Sequence, residues 1–277
     1  MGLKHAIKET IRLTNEKKIL PIEVPLSEDK VLKGRTALIA GGNGGIGLAI
    51  AKTLLQSGSN VILGGTNKNK LISAKRELKE WDNKVKVLTL DLLDYKSIDR
   101  SIKDAVSMFG QIDIFINAAG VHIENVDFWK VTPGQYDRVM NINLKGVYFY
   151  CIQMAKYWKA NNMKGNILLI SSSRGSEPAW SPYGISKWGL NGMVQGLAQM
   201  LTKYNIIVNA IAPGSTATPL LGIHKGSSIY TDDNVFQRMV MPSEVGNIAR
   251  LLVSDAGDML SGEIIHLSAG RGVWDIR

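Results

Sequence analysis

The sequence predicts an α/β protein: one domain on a doubly wound parallel sheet, preceded by an N-terminal extension. Three observations carry this. Apolar runs of strand length alternate with longer stretches of helical spacing, as in a parallel sheet covered on both faces. A turn with five glycines in seven residues, 41–47, joins the first run to the first helical stretch. The chain has 277 residues, 45% of them apolar, enough to bury one sizeable core.

Residues 1–31 differ from the rest. Leu3, Ile7 and Ile11 fall at helical spacing on a basic segment that includes Lys4, Lys8, Arg12, Lys17 and Lys18. The stretch 19–26 then alternates, and Pro21 and Pro25 limit it to an extended or edge conformation. Such an arm packs either on a neighbouring subunit or on its own; the sequence leaves both open. Adhesion of the basic helix to a membrane or RNA is a minor third reading.

Residues 35–40 form the first predicted strand. Gly41-Gly42-Asn43-Gly44-Gly45-Ile46-Gly47 follows, then a helical pattern beginning near Ile46. Strand, glycine turn and helix form the setting of a dinucleotide fingerprint, and the sheet is then of the Rossmann type. Glycine lets the backbone approach a pyrophosphate, and the helix start turns its positive end towards it. Further strands are predicted at 60–64, 85–90, 112–117, 166–171, 206–211 and 263–267. Helices are predicted at 70–80, 97–109, 133–160 with a break before Asn143, 183–204 and 243–253. Residues 218–241, rich in Gly, Ser and Asp around 222–234, read as a mobile lid that orders on binding.

Charge and cysteine usage narrow the classes. The formal charge is +9, but no basic block interleaves with aromatics, so nucleic acid is not an expected partner. No apolar run reaches the length of a membrane span. The only cysteine, Cys151, lies in an apolar helical stretch as filler, which fits a reducing cytoplasm. His122 has no second histidine or carboxylate at ligand spacing, so no metal site is expected.

Tyr183 and Lys187 lie four residues apart on a predicted helix, one turn apart on one face. A neighbouring ammonium favours phenolate and lowers the tyrosine pKa, which suits proton exchange with a carbonyl or alcohol oxygen. Taken alone, the pair reads more readily as a solvated helix face than as a site.

Together with Gly41-x-x-x-Gly45-x-Gly47, Asn117-Ala118-Ala119-Gly120, Asn143, Ser172 and Pro213-Gly214, this pair resembles the short-chain dehydrogenase/reductase family in its compact single-domain branch. The motifs stand in family order from about Leu32 onward, so 32–277 is the expected oxidoreductase domain. The resemblance implies that Tyr183 is the general acid/base and that Lys187 lowers its pKa and holds the nicotinamide ribose. It implies that Ser172 polarises the substrate oxygen and that Asn143 props a water and the lysine for proton relay. Ser172 lies 11 residues before Tyr183, a shorter interval than in many members, so Ser171 and Ser173 stay open. Asp91-Leu92 matches the pair that holds the adenine, and Pro213-Gly214 with Thr216 and Thr218 looks like the loop that orients the nicotinamide amide. Ala118 replaces the family's second asparagine in Asn-Asn-Ala-Gly, at a small expected cost in stability. Ser268-Ala269-Gly270 replaces its usual Asp-Gly-Gly, with no functional consequence evident from sequence. The resemblance also implies a homotetramer, or a homodimer, joined through the helices at 145–160 and 183–204.

An acidic residue after the second strand would favour NAD, and none is present. Thr66, Asn67 and Lys68 offer hydrogen bonds and charge instead, which favours NADP(H) over NAD(H). His122, Glu124, Arg174, Glu177, Trp180, His224 and Lys225 are candidate pocket residues, a mixture that suits a small polar ketone or alcohol. Within the family, a 3-oxoacyl carrier-protein reductase is the alternative: an acidic carrier would meet a basic patch of Arg174, Lys225 and Arg238. From another class, the chain could be a catalytically silent nucleotide-binding regulator or scaffold. The intact Ser172, Tyr183, Lys187 and Asn143 speak against that.

Overall fold

β1 (Thr36–Ala40) is buried along its whole length because both of its faces are covered. Its residues alternate between two cores: Leu38 and Ala40 join one, Ala37 and Ile39 the other. The computed structural model describes residues 30–224 and 226–272. The arm expected at 1–31 therefore lies almost wholly outside the described residues, as does Lys225.

Around β1 lie β2 (Asn60–Gly65), β3 (Val85–Thr89), β4 (Ile114–Asn117), β5 (Gly165–Ile170), β6 (Ile206–Pro213) and β7 (Ile264–Leu267). All seven strands are parallel, in the order β3-β2-β1-β4-β5-β6-β7. The chain moves outward from β1 to β3, then returns to place β4 on the other side of β1. Ala40 thus pairs with Gly64 on one side and Asn117 on the other. At that reversal the connections diverge and leave a crevice at the carboxyl ends of the strands.

One sheet face is covered by α1 (Gly45–Gln56), α2 (Lys68–Glu77) and α7 (Pro242–Val253), whose Ile50, Leu54, Leu71 and Val245 meet Ile39, Leu63 and Ile116. The other carries α3 (Ile98–Phe109), α4 (Pro133–Met140), α5 (Gly146–Ala160) and α6 (Pro182–Leu201). There the Tyr150 ring stacks on Phe115 at 4.7 Å and its hydroxyl meets Ser101 at 3.0 Å. Trp158 is fully buried, and its Nε1 donates to the Ile112 carbonyl at 2.7 Å. A Cβ at Gly165 would stand 2.3 Å from that indole, so only glycine lets β5 pass. Cys151 is buried beside them, and burial pushes its thiol up to about 12.

The expected break before Asn143 is not a break. Between α4 and α5 the chain makes a π-helical turn over Asn141–Lys145 and continues as helix. The helix expected at 70–80 starts earlier, at Lys68, because Asn67 caps it by accepting from the Lys70 amide at 3.0 Å. It ends at Glu77 and gives way to a 3₁₀ turn, Lys79–Lys84. No described helix is long and apolar enough to cross a membrane.

Candidate active site

The glycine turn closes the carboxyl end of β1. Gly41 has φ +77°, open chiefly to glycine, and a Cβ there would stand 2.6 Å from the Ala119 amide. A Cβ at Gly47 would come within 2.2 Å of the Gly41 carbonyl, so α1 starts this close to β1 only with glycine. Gly44 precedes α1 with no side-chain cap, and the first turn, with Gly45 and Ile46, holds no acidic residue. Its first amides and its dipole are left for an external anion. Asn43 reaches across to β2: a Cβ on Gly65 would meet its Oδ1 at 2.6 Å.

At the ends of β2 and β3, Thr66, Asn67, Lys68 and Asp91 are exposed, while Leu92 is buried. The Asn67 side-chain oxygen is taken by the helix cap, while its Nδ2, the donor that phosphate recognition would use, makes no hydrogen bond among the described residues. Asp91 accepts from the Leu93 amide at 2.9 Å with one oxygen, and its other oxygen has no hydrogen-bond partner among the described residues.

β4 delivers Asn117, buried, whose Nδ2 donates to the Ala119 carbonyl at 3.3 Å while its Oδ1 has no partner among the described residues. Ala119 and Gly120 follow at the crevice. Asn143, placed by the π-helical turn, pins the next residue: its Oδ1 accepts from the Val121 amide and its Nδ2 donates to the Val121 carbonyl, both at 2.8 Å. Nδ2 also lies 3.2 Å from the Ser186 hydroxyl.

β5 ends at Ile170, and the three serines after it separate by their partners. Ser171 donates to Asn191 Oδ1 at 2.6 Å, deep under the loop. Ser172 accepts from the Arg174 amide at 3.2 Å and begins a 3₁₀ turn that contains Ser173. Ser181 caps α6, accepting from the Gly184 amide at 3.1 Å, and Pro182 opens the helix. Tyr183 and Lys187 then lie one turn apart, as their spacing predicts.

Their electrostatics differ from the expectation. Lys187 is buried and directs its Nζ at the Ile170 carbonyl, 2.8 Å away. Loss of hydration lowers its ammonium to about 8. Tyr183 is partly exposed to the crevice, yet the protein around its hydroxyl shields it enough to push the phenol above its ordinary value. The Ser172 hydroxyl and the Arg174 guanidinium pull in the opposite direction, and Lys187 is not among the causes. The predicted lysine-lowered phenol is therefore corrected: desolvation outweighs the Ser172 hydroxyl and the Arg174 charge.

β6 supplies Pro213-Gly214. Thr216 Oγ1 donates to the Gly214 carbonyl at 2.9 Å, and Thr218 Oγ1 approaches the Thr216 carbonyl at 3.4 Å. Ile46, Ala119, Gly120, Ser172, Tyr183, Lys187, Pro213, Gly214, Thr216 and Thr218 all line one cavity of about 480 Å³. Gly41, Asn43, Gly44, Gly45, Gly47, Thr66, Asn67, Lys68, Asp91 and Leu92 do not line it; they belong to the strand ends on its β1–β3 side. Asn117 and Asn143 are buried and outside its lining.

Of the pocket residues chosen from sequence, His122, Arg174 and Trp180 line the cavity. Glu124 and His224 are exposed outside it, and Glu177 is held behind it by two arginines. Asp233 and Arg271 line it without having been singled out. Arg271 joins Glu177 across 94 residues, a pairing with no local sequence signal. The stretch 218–241 is tied down more than its composition suggests: Ile229 and Val240 are buried, Asp233 pairs with Arg271, and Arg238 makes a two-pronged pair with Glu244 at 2.7 and 2.8 Å. Among the described residues no group of three His, Cys, Asp or Glu side chains could hold a metal ion.

Residues 35–225 match the family model for short chain dehydrogenase. The chain is 31% identical over 243 residues to the 3-oxoacyl-(acyl-carrier-protein) reductase FabG of Thermotoga maritima, covering 86% of this chain and 98% of that protein. It is 30% identical over 245 residues to a 3alpha-hydroxysteroid dehydrogenase of Mediterraneibacter gnavus, covering 86% and 96%. A crystal structure of a short chain dehydrogenase from Bacillus anthracis superposes with TM-score 0.80 at 25% identity, over 88% of this chain and 99% of that one.

Proposed function

The chain belongs to the short-chain dehydrogenase/reductase family, and from that premise we propose that it interconverts a small polar ketone and its secondary alcohol with a nicotinamide dinucleotide. The observation that carries this is the convergence of Ser172, Tyr183 and Lys187 in one cavity beside an uncapped helix start. The glycine cradle of 41–47, which side chains would fill, fits a pyrophosphate. When bound, the dinucleotide supplies or accepts the hydride. Everything else falls to the chain. Tyr183, whose raised pKa keeps it protonated, gives its proton to the carbonyl oxygen in reduction. Ser172 donates to the same oxygen and stabilises its developing charge. Lys187 binds the ribose hydroxyls, and Asn143 holds the Val121 backbone beside them.

NADP(H) is the preferred cofactor, on the absence of a carboxylate after β2 and the presence of Thr66, Asn67 and Lys68. In this reading 32–277 is one catalytic unit, 218–241 covers the substrate, and 1–31 is an arm. Half-exposed Tyr148 and Phe149 on α5, with Trp188 and Met200 on α6, support subunit contact through these helices and a homotetramer. A stable monomer in light scattering would remove that assignment. A single buried thiol fits the cytoplasm.

A second reading, 3-oxoacyl carrier-protein reductase, draws on the Thermotoga maritima relative. Its expected basic patch is reduced, because Arg238 is engaged by Glu244. Polar ketones, sugars and acyl thioesters offered with NADPH and with NADH test both readings through loss of reduced-cofactor absorbance. No turnover of any of them would leave the silent regulator as the better account.

A further inference from the structure

The cavity beside Tyr183 is the substrate site on the reading above, and its charges point to the kind of substrate. Three cationic side chains line it, Arg174, Lys187 and Arg271, against one carboxylate, Asp233. They are not equivalent. Lys187 is buried and donates to the Ile170 carbonyl. Arg271 is locked: Nε reaches Glu177 Oε1 at 2.9 Å, Nη1 meets Asp233 Oδ2 at 2.7 Å, and its side chain is 16% exposed. Asp233 also accepts from the Ser215 hydroxyl, so both members of that pair are satisfied.

Arg174 differs. Only its Nη1 is engaged, by Glu177 Oε2 at 2.8 Å, and its side chain is 56% exposed. Glu177 lies outside the lining and gives one oxygen to each arginine. It thereby holds the Arg174 guanidinium in direction while leaving its other N–H groups without a partner among the described residues. That guanidinium also acts on the Tyr183 phenol, which places it within electrostatic reach of the reacting oxygen. A fixed planar donor fork beside a partly desolvated cavity recognises carboxylate and phosphate oxygens better than neutral groups.

We propose that the substrates are ketones or alcohols carrying an anionic group, carboxylate or phosphate, which Arg174 binds while the reacting oxygen lies at Tyr183 and Ser172. Pre-orientation by Glu177 lowers the ordering cost of that contact. A neutral analogue offers the remaining Arg174 N–H groups no charged acceptor in the cavity, so it forgoes the charge-assisted contact that the anionic substrate makes.

Matched pairs test this: 2-oxo acids against their methyl esters, and phosphorylated hydroxyketones against the free hydroxyketones. The parent protein is expected to favour the charged member by about tenfold or more in kcat/KM. Whichever pair shows the larger ratio identifies carboxylate or phosphate as the group. In Arg174→Gln the ratio falls towards one, mainly through KM of the charged member, while Arg174→Lys retains part of it. Ratios near one in the parent, or unchanged in Arg174→Gln, overturn the proposal. A binding arm is independent of turnover: tryptophan fluorescence followed during titration with malonate, inorganic phosphate and uncharged malonamide. If no ketone is reduced, the oxidoreductase reading fails, and this arm still decides the anion site. Anion binding stronger than malonamide binding and lost in Arg174→Gln upholds it; equal or absent binding overturns it.

Discussion

The ammonium of Lys187 lies 5.6 Å from the centre of the Tyr183 ring while its Nζ donates to the carbonyl of Ile170 at 2.8 Å. The lysine is thus anchored to the sheet at the end of β5 and stands beside the phenol ring. Tyr183 keeps its proton in this arrangement, the state in which it can act as an acid towards a carbonyl.

Removing that proton donor tests the mechanism directly. Tyr183→Phe is expected to slow ketone reduction by about 10²–10⁴-fold, the usual worth of a positioned acid/base. The measurement is the rate of reduced-cofactor oxidation on any ketone that the parent reduces. An undiminished rate would remove Tyr183 from the chemistry.

Burial of Lys187 has a signature in stability. Its folded pKa, about 8, lies below the ordinary 10.5 of the unfolded chain. Between those values the folded state binds fewer protons than the unfolded one, so this group's contribution to stability rises with pH across that window. The span is worth on the order of 3 kcal/mol at most. Lys187→Met lacks the titration, so the stability of the parent relative to this variant should rise between about pH 8 and 10.5. Tyr150, Cys151 and Tyr183, whose raised values act in the opposite sense, are present in both proteins and largely cancel. Denaturant titrations at several pH values measure the difference; a flat one would mean that the ammonium is hydrated.

The turn after β7 carries Ala269 at φ +52°, a left-handed conformation that costs an alanine more than a glycine. Ala269→Gly is expected to stabilise the protein by about 0.5–1 kcal/mol, after the greater freedom of glycine in the unfolded chain is counted. For a chain of this size that is about 2 °C in Tm. A lower Tm would show that the conformation carries no strain.

The proposed preference for NADP(H) rests on the end of β2, where Thr66, the side-chain N–H groups of Asn67 and Lys68 are the donors. Thr66→Asp places a carboxylate where a 2′-phosphate would lie. The ratio of kcat/KM with NADPH to that with NADH should fall by about tenfold or more, a change of 1.4 kcal/mol or greater. An unchanged ratio would place the phosphate elsewhere.

What could be read from the sequence follows from how local each signal is. The glycine turn and the Tyr183–Lys187 pair are contiguous, so their chemistry shows in spacing alone. The strands were legible to within a residue or two, because a doubly covered strand is an uninterrupted apolar run. Asn67 also carries a legible helix signal, since asparagine before a helical stretch is a preferred cap. The irregularity near Asn143 was legible as a break but not in its form: a π-helical turn at Asn141–Lys145 carries the helix through instead of ending it. The Arg271–Glu177–Arg174 cluster was not legible, since it exists only because β7 returns beside β6 and brings its following turn to the serine loop. The lid composition suggested mobility, but polar residues there are used in ion pairs, Asp233 with Arg271 and Arg238 with Glu244.

Cys151, the chain's only cysteine, is enclosed between α5 and the sheet with its thiol pushed up to about 12. An alkylating reagent therefore meets no reactive sulfur on the native molecule at neutral pH. Its rate of capture instead counts how often that helix lifts from the strands beneath it. The protein thus carries an internal clock for its own opening, readable by mass without an introduced label.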